Sequence, residues 1–160
     1  MPQAEGRRAG LTAGVATWAP VAAWVTIIFS LSSDRFSDTN TAAWMLRFPF
    51  IAALGLPPNM LAAANVIVRK CAHFVEYAVL SALTFRAVRT TWPRRTPAQL
   101  VLLVVAVAVA CATLDELRQY LLTVSRNGTP KDVVLDVVGA SAGAVVVAAY
   151  LYRRPRRRAA

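Results

Sequence analysis

Titratable side chains lie inside stretches of this chain that are otherwise apolar enough to cross a membrane. One stretch carries His73 and Glu76, the next has no charge until Asp115 and Glu116, and the last contains Asp136. Ionisable groups at membrane depth are costly unless they face a protein interior or a water-filled cavity. Carboxylates beside an imidazole can bind a charged ligand or transfer protons. We therefore regard these groups as candidates for a functional site.

Helical spacing brings the candidates onto shared faces. Arg69, His73 and Glu76 follow i, i+4 and i+7 spacing, and Asp132 and Asp136 are one turn apart. Three helices that carry such groups at one end predict one shared polar site. The ligand-binding residues assigned to it are Arg69, Lys70, His73, Glu76, Tyr77, Asp115, Glu116, Gln119, Arg126, Asp132 and Asp136.

The chemistry predicted for this site is recognition of an anion. Arg69, Lys70 and Arg126 would bind phosphate or carboxylate, because arginine and lysine are the usual partners of these groups. Whether the protein is an enzyme stays open from the sequence. If it is one, the candidates for acid–base catalysis are His73, Glu76, Asp115 and Glu116.

A structural alternative uses the same residues. The charges could form a buried ion-pair network that specifies helix packing, with Arg69, Lys70, Arg118 and Arg126 as counter-charges. They could also lie in the headgroup region of the bilayer. No metal site and no cofactor are predicted, because the chain has neither an HExxH motif nor clustered histidines and cysteines.

Composition predicts the class of protein. The chain has 160 residues, of which 57% are hydrophobic, and a mean hydropathy of +0.48. The net charge of +10 is concentrated near the chain ends and in one connection. That pattern is typical of membrane topology signals. No aromatic-rich basic module accompanies the charge, so nucleic acid is not a predicted partner.

The predicted fold is an all-α polytopic membrane bundle with four transmembrane helices. The spans are about 11–31, 68–89, 97–122 and 132–152. A short interfacial or re-entrant helix is expected between the first two spans, in the connection 32–67. The whole chain, 1–160, is predicted to be one domain with a basic tail at 153–160. A cleavable signal peptide is the alternative for the first span, but the apolar run is too long and no cleavage site follows.

Arginine and lysine placement predicts the orientation. Arg7 and Arg8 precede the first span, Arg86 to Arg95 surround the second connection, and the C-terminal tail carries five arginines. The positive-inside rule then places both termini in the cytoplasm and the polar site at the outer face of the cytoplasmic membrane. Membrane lipids are the expected partners, and oligomeric state is left open.

Several motifs carry a family resemblance. They are IFSLSS at 28–33, VRKCAHFVEYAVL at 68–80, LDELRQYLL at 114–122, SRNG at 125–128 and KDVVLDVVGASAG at 131–143. In combination they resemble the VanZ-like family of small bacterial membrane proteins, over residues 24–143. The resemblance implies a link to glycopeptide (teicoplanin) resistance. Arg118 departs from the pattern, because many relatives carry histidine there, so a role of that histidine does not transfer.

Three functions remain open at this point. The first is an outward-facing pocket that binds or processes an anionic envelope or lipid-linked ligand. The second is a membrane hydrolase or transferase that acts on lipid-linked phosphate. The third is a small transporter subunit, which would require oligomerisation because four spans are few; the Gly139–Gly143 pair is a candidate contact for it.

Overall fold

The computed structural model describes residues 2–34, 38–123 and 130–153, with side chains at 12–34, 41–49, 51–123 and 130–153. Every regular element in this part of the chain is an α-helix, so the all-α prediction is confirmed. The helices are α1 (Pro2–Leu31), α2 (Asp38–Met45), α3 (Pro49–Ala53), α4 (Pro58–Thr91), α5 (Pro97–Leu122) and α6 (Pro130–Arg153).

Proline and capping residues define where the long helices begin. Pro58, Pro97 and Pro130 each start a helix, at positions where a missing backbone N–H costs nothing. Thr96 adds a capping box: its hydroxyl accepts from the Gln99 N–H, and the Gln99 side chain accepts from the Thr96 N–H. The predicted third span, 97–122, coincides with α5 for this reason.

The connection between α1 and α4 differs from the prediction. Two short helices, α2 and α3, replace the single short helix expected there, because Pro49 starts a new helix after the turn at 46–48. Gly55 ends this segment with φ of +56°, a left-handed conformation that favours glycine. Helix α4 then begins ten residues before the predicted span at Val68, because Pro58 is followed by residues with good helix propensity.

Within the described residues, three helices are long and apolar enough to cross a membrane, at Thr12–Leu31, Pro97–Leu122 and Pro130–Arg153. Helix α4 is longer than any of them, about 51 Å at 1.5 Å per residue, but carries more charged residues. Large side chains such as Leu102, Val146 and Leu122 are exposed on the outside of the bundle. An apolar outer surface of this kind suits lipid contact.

Helix α4 packs against α1, α2, α5 and α6 and is therefore the centre of the assembly. Its contacts with α1 fix an antiparallel pair, since Trp24 Nε1 donates to the Glu76 carbonyl and Trp18 Nε1 donates to the Thr91 hydroxyl. Helices α4 and α6 run in parallel, because Lys70 meets Asp132 and His73 meets Asp136. The polar motifs of α4, α5 and α6 consequently lie toward one end.

Candidate functional site

Two pairs of a basic and an acidic side chain join α4 to α6, one helical turn apart. Lys70 Nζ lies 2.9 Å from Asp132 Oδ1, and His73 Nδ1 lies 3.3 Å from Asp136 Oδ1. Their environments differ. The Lys70 side chain is 53% exposed, whereas Asp136 is completely buried. The inner pair therefore lies in a medium where charge interactions are strong and an unpaired charge is costly.

Two glycines of α6 explain why these pairs form. A Cβ on Gly139 would lie 2.6 Å from the Phe74 carbonyl oxygen, and one on Gly143 would lie 2.5 Å from that of Ala78. Only glycine permits this backbone contact between two helices. The close approach brings the short Asp136 side chain within reach of His73. Gly139 and Gly143 therefore form the close contact between α6 and α4.

A second buried carboxylate belongs to α5. Asp115 is fully buried and accepts hydrogen bonds from Gln119 Nε2 at 2.9 Å and from the Arg118 guanidinium at 3.2 Å. The Arg118 guanidinium also donates to the Phe29 carbonyl at 2.7 Å and lies over the Phe29 ring. Arg118 therefore ties the end of α1 to α5. The Glu116 side chain is also buried.

A cavity of about 130 Å³ opens beside the His73–Asp136 pair. Its lining residues are Leu31, Thr41, Val68, Arg69, Ala72, His73 and Glu76. A liquid water occupies about 30 Å³, and pockets for drug-sized ligands start at about 300 Å³. The cavity is therefore the size of a phosphate or carboxylate group with some water, and not of a whole lipid.

Three hydroxyl-bearing residues of α4 form a buried polar line that the sequence analysis only partly identified. Tyr77, Ser81 and Thr84 are fully buried, and their side-chain oxygens have no hydrogen-bond partner within the described part of the protein. Tyr77 is close enough to Asp136 and Asp115 to interact with them electrostatically. The i, i+4, i+7 spacing of the three residues was the available signal for Ser81 and Thr84.

The structure sorts the predicted site residues into groups. Arg69, His73 and Glu76 line the cavity, while Tyr77 and Asp136 are buried in the bundle. Lys70 and Asp132 pair with each other and do not line it, and Arg126 lies outside the described residues. The remaining three predicted residues are buried on α5: Asp115, Glu116 and Gln119.

The ligand-binding roles of these residues stay predictions. Asp115 and Glu116, two of the four catalytic candidates, are absent from the cavity lining, whereas His73 and Glu76 belong to it. Any acid–base chemistry at this cavity would therefore depend first on His73 and Glu76. The described residues contain no group of three histidines, cysteines or carboxylates placed to hold a metal ion.

The sequence model of the VanZ/LLP1 family matches residues 17–152. The chain belongs to the VanZ/LLP1 family. The match covers the cavity, the α4–α6 pairs, Arg118 and the buried hydroxyls. Comparisons with curated proteins and with solved structures gave no match.

Membership of the VanZ/LLP1 family confirms the resemblance carried by the motifs at 68–80, 114–122 and 131–143. Together with three apolar helices it supports a VanZ-like membrane protein. The structure adds the physical role of those motifs. They supply the paired charges and the glycines where α4, α5 and α6 meet.

Proposed function

We propose that the chain crosses the cytoplasmic membrane four times, with both termini in the cytoplasm. The three apolar helices supply three spans, and α4 supplies the fourth. Support for α4 comes from its position, since its contacts with α1 extend from Glu76 to Thr91. The segment from Lys70 to Arg89 is about 30 Å long, which matches the hydrocarbon thickness of a bilayer. Its polar residues can face other helices, which explains its lower apolarity.

Cysteine labelling tests this topology. Lys131 and Arg94 are exposed residues at opposite ends of the bundle. In a background with Cys71 and Cys111 replaced by alanine, Lys131→Cys should react with a membrane-impermeant maleimide in intact cells. Arg94→Cys should react only after the membrane is permeabilised. Reaction of both variants in intact cells, or of Arg94→Cys alone, contradicts the proposal.

We infer that the cavity between α1, α2 and α4 binds the anionic head group of a lipid-linked envelope ligand. The observation that carries this proposal is Arg69 in the lining of a cavity of head-group size, at the edge of an apolar bundle. A chain attached to that head group could remain in the bilayer. Lys70, the adjacent basic residue, does not line the cavity. Arg69 is therefore the cation assigned to the ligand.

The test compares these two neighbouring basic residues. Polyprenyl phosphate and the matching uncharged polyprenol are added to the purified protein, and binding is followed by native mass spectrometry. Arg69→Gln should weaken polyprenyl phosphate binding at least about tenfold, the equivalent of one charge-assisted contact. Lys70→Gln, which removes the same charge one residue away, should have a small effect. Equal losses, or equal binding of the two lipids, would exclude the assignment.

A second candidate function is hydrolysis of a lipid-linked diphosphate. His73 lines the cavity, and its Nδ1 lies 3.3 Å from Oδ1 of the buried Asp136. A histidine oriented by a carboxylate can act as a general base. It would accept the proton of a water that attacks the terminal phosphorus. The bond to the bridging oxygen then breaks, which releases inorganic phosphate and polyprenyl monophosphate.

Turnover separates binding from catalysis. Phosphate release from polyprenyl diphosphate is measured with the wild-type protein, His73→Gln and Arg69→Gln. If the protein is an enzyme, His73→Gln should lose release at least about a hundredfold and retain binding. If the wild-type protein releases no phosphate, the hydrolysis proposal is contradicted, and binding is decided by the lipid experiment alone. Circular dichroism and thermal unfolding control for folding.

A link to glycopeptide tolerance is proposed from family membership. In cells that lack the gene, restoring the wild-type chain should raise the teicoplanin concentration needed to stop growth. Arg69→Gln, expressed at the same level, should not restore it, whereas Lys70→Gln should. An unchanged teicoplanin susceptibility in all strains removes the link and leaves the binding proposal to the lipid experiment.

A further inference from the structure

A second cavity lies between α4 and α6 at the opposite end of the bundle. It has a volume of about 470 Å³ and is lined by Arg86, Arg89, Thr90, Val147, Tyr150 and Leu151. Each helix contributes residues at i, i+3 and i+4, which share one helix face. In the sequence, Arg86 and Arg89 stand out only as signals of topology. None of these residues lines the cavity beside His73.

The charged residues that line this cavity, Arg86 and Arg89, are both positive. Arg86 and Arg89 have no ion-pair partner among the described side chains, and Arg89 lies over the Tyr152 ring at 5.7 Å. The Thr90 hydroxyl donates to the Arg86 carbonyl, so its proton is already used. The acidic residues with described side chains belong to the other half of the bundle: Asp34, Glu76, Asp115, Glu116, Asp132 and Asp136. An anion is therefore the complementary partner, and none of the described side chains supplies it.

The depth of Arg86 along α4 and the aliphatic wall of the cavity favour a phospholipid over a water-soluble anion. Arg86 precedes Trp92, the residue that follows α4, by six residues, or about 9 Å along the helix. An arginine at that depth is costly unless its long side chain reaches water or a phosphate at the interface. The other wall of the cavity contains the aliphatic side chains of Val147 and Leu151. A water-soluble anion would make no use of that wall, whereas a phospholipid would contact both.

We propose that this cavity binds the head-group phosphate of an anionic phospholipid, with an acyl chain along Val147 and Leu151. Arg86 and Arg89 donate to the phosphate oxygens, and the stacking of Arg89 on Tyr152 restricts its orientation. The volume falls within the range of small-molecule sites, about 300–1,000 Å³. The inference rests on the proposed placement of α4 in the membrane. It is independent of what binds beside His73.

The experiment uses the full chain and two lipids with identical acyl chains, phosphatidylglycerol and phosphatidylcholine. Native mass spectrometry of the delipidated protein gives the affinity for each. The wild-type chain should prefer phosphatidylglycerol, and Arg86→Gln with Arg89→Gln should weaken that binding at least about tenfold. The matched control is Arg94→Gln with Arg95→Gln, which removes two charges from the neighbouring loop and should cost less than about threefold. Equal losses in both double variants would show general attraction only, and would overturn the proposal.

A variant that keeps every charge tests the apolar wall. Val147→Trp should fill the cavity and weaken phosphatidylglycerol binding about tenfold, while glycerol phosphate, the soluble head group, should not compete with the lipid in the wild type. Unchanged binding in Val147→Trp contradicts the proposed groove. Should the double arginine variant not fold, Val147→Trp and Arg89→Lys carry the test. If the lipid-binding experiment fails while cysteine labelling gives the proposed topology, only the lipid site is rejected. If cysteine labelling contradicts the topology, the membrane placement of α4 is rejected.

Discussion

The two ends of the α4–α6 pair use charge in opposite ways. At the His73 end, acidic and basic groups of α4 and α6 pair with one another, and Asp115 and Asp136 are fully buried. At the Arg86 end, Arg86 and Arg89 line an open cavity. Neither arginine pairs with a carboxylate among the described side chains. One pair of parallel helices thus has one end where charged groups of the two helices pair, and another end where Arg86 and Arg89 have no ion-pair partner among the described side chains. Mutations at the first should change stability, and mutations at the second should change lipid binding.

The helix contact that supports both ends should show the largest effect. Gly143→Ala places a Cβ against the Ala78 carbonyl, and backbone cannot move aside as a side chain can. We expect a loss of at least about 3 kcal/mol in the free energy of unfolding, measured by denaturant titration in mixed micelles. Gly14→Ala is the control, because no atom lies within 4 Å of its Cβ, and it should be neutral or slightly stabilising. Equal effects of the two changes would contradict the close contact.

Removing the imidazole from the buried pair should have the next largest effect. His73→Ala leaves the fully buried Asp136 without its partner, so we expect a loss of about 3 kcal/mol in unfolding free energy. A double-mutant cycle with Asp136→Asn isolates the pair. Additive losses in that cycle would mean that the two side chains do not interact.

The arginine that joins α1 to α5 should rank third. Arg118→Met keeps most of the apolar stem but loses the bonds to the Phe29 carbonyl and to Asp115. We expect a loss of about 2 kcal/mol in unfolding free energy. Cysteine crosslinking between the end of α1 and α5 should also decrease. Unchanged crosslinking together with unchanged stability would show that Arg118 is dispensable for this contact.

The outer pair gives a matched comparison with the inner one. Lys70→Ala breaks an ion pair at about the same separation as His73–Asp136, but the lysine side chain is half exposed. We expect a loss below about 1 kcal/mol that decreases as salt is added. A loss as large as that of His73→Ala would mean that burial does not distinguish the two pairs.

The smallest stability effect is expected at the opposite end. Arg86→Gln, in micelles free of anionic lipid, should change the unfolding free energy by less than about 0.5 kcal/mol, because none of the described carboxylates pairs with its guanidinium. Addition of phosphatidylglycerol should stabilise the wild-type chain more than this variant, since a ligand that binds the folded state raises stability. If phosphatidylglycerol stabilises the wild-type chain and Arg86→Gln equally, Arg86 does not bind this lipid and the two ends do not differ in the way proposed.

Local signals predicted some elements well and others poorly. Helix α5 matched its predicted bounds because Thr96, Pro97 and Gln99 form a complete start signal. The predicted second span, 68–89, covers only the apolar part of α4, because Pro58 and the residues after it extend the helix beyond that part. The single short helix predicted in the connection became two at Pro49.

The sequence predicted which residues line the candidate site, but not which side chains pair with each other across helices. Periodicity placed Arg69, His73 and Glu76 on one stripe, and all three line the cavity. It could not show that Lys70 is held by Asp132, or that Arg118 reaches the Phe29 carbonyl 89 positions away. Those contacts depend on the register between helices, which a single-helix pattern does not contain.

The sequence by itself determined the helical class, the apolar surface and the clustering of titratable groups toward one end, because these follow from hydropathy and from 3.6-residue periodicity. Only the tertiary structure decided which charges pair with each other and which line a cavity. The physical reason is distance. Ion pairing and cavity size change over a few ångströms, and the contact of Gly139 and Gly143 with α4 sets that separation.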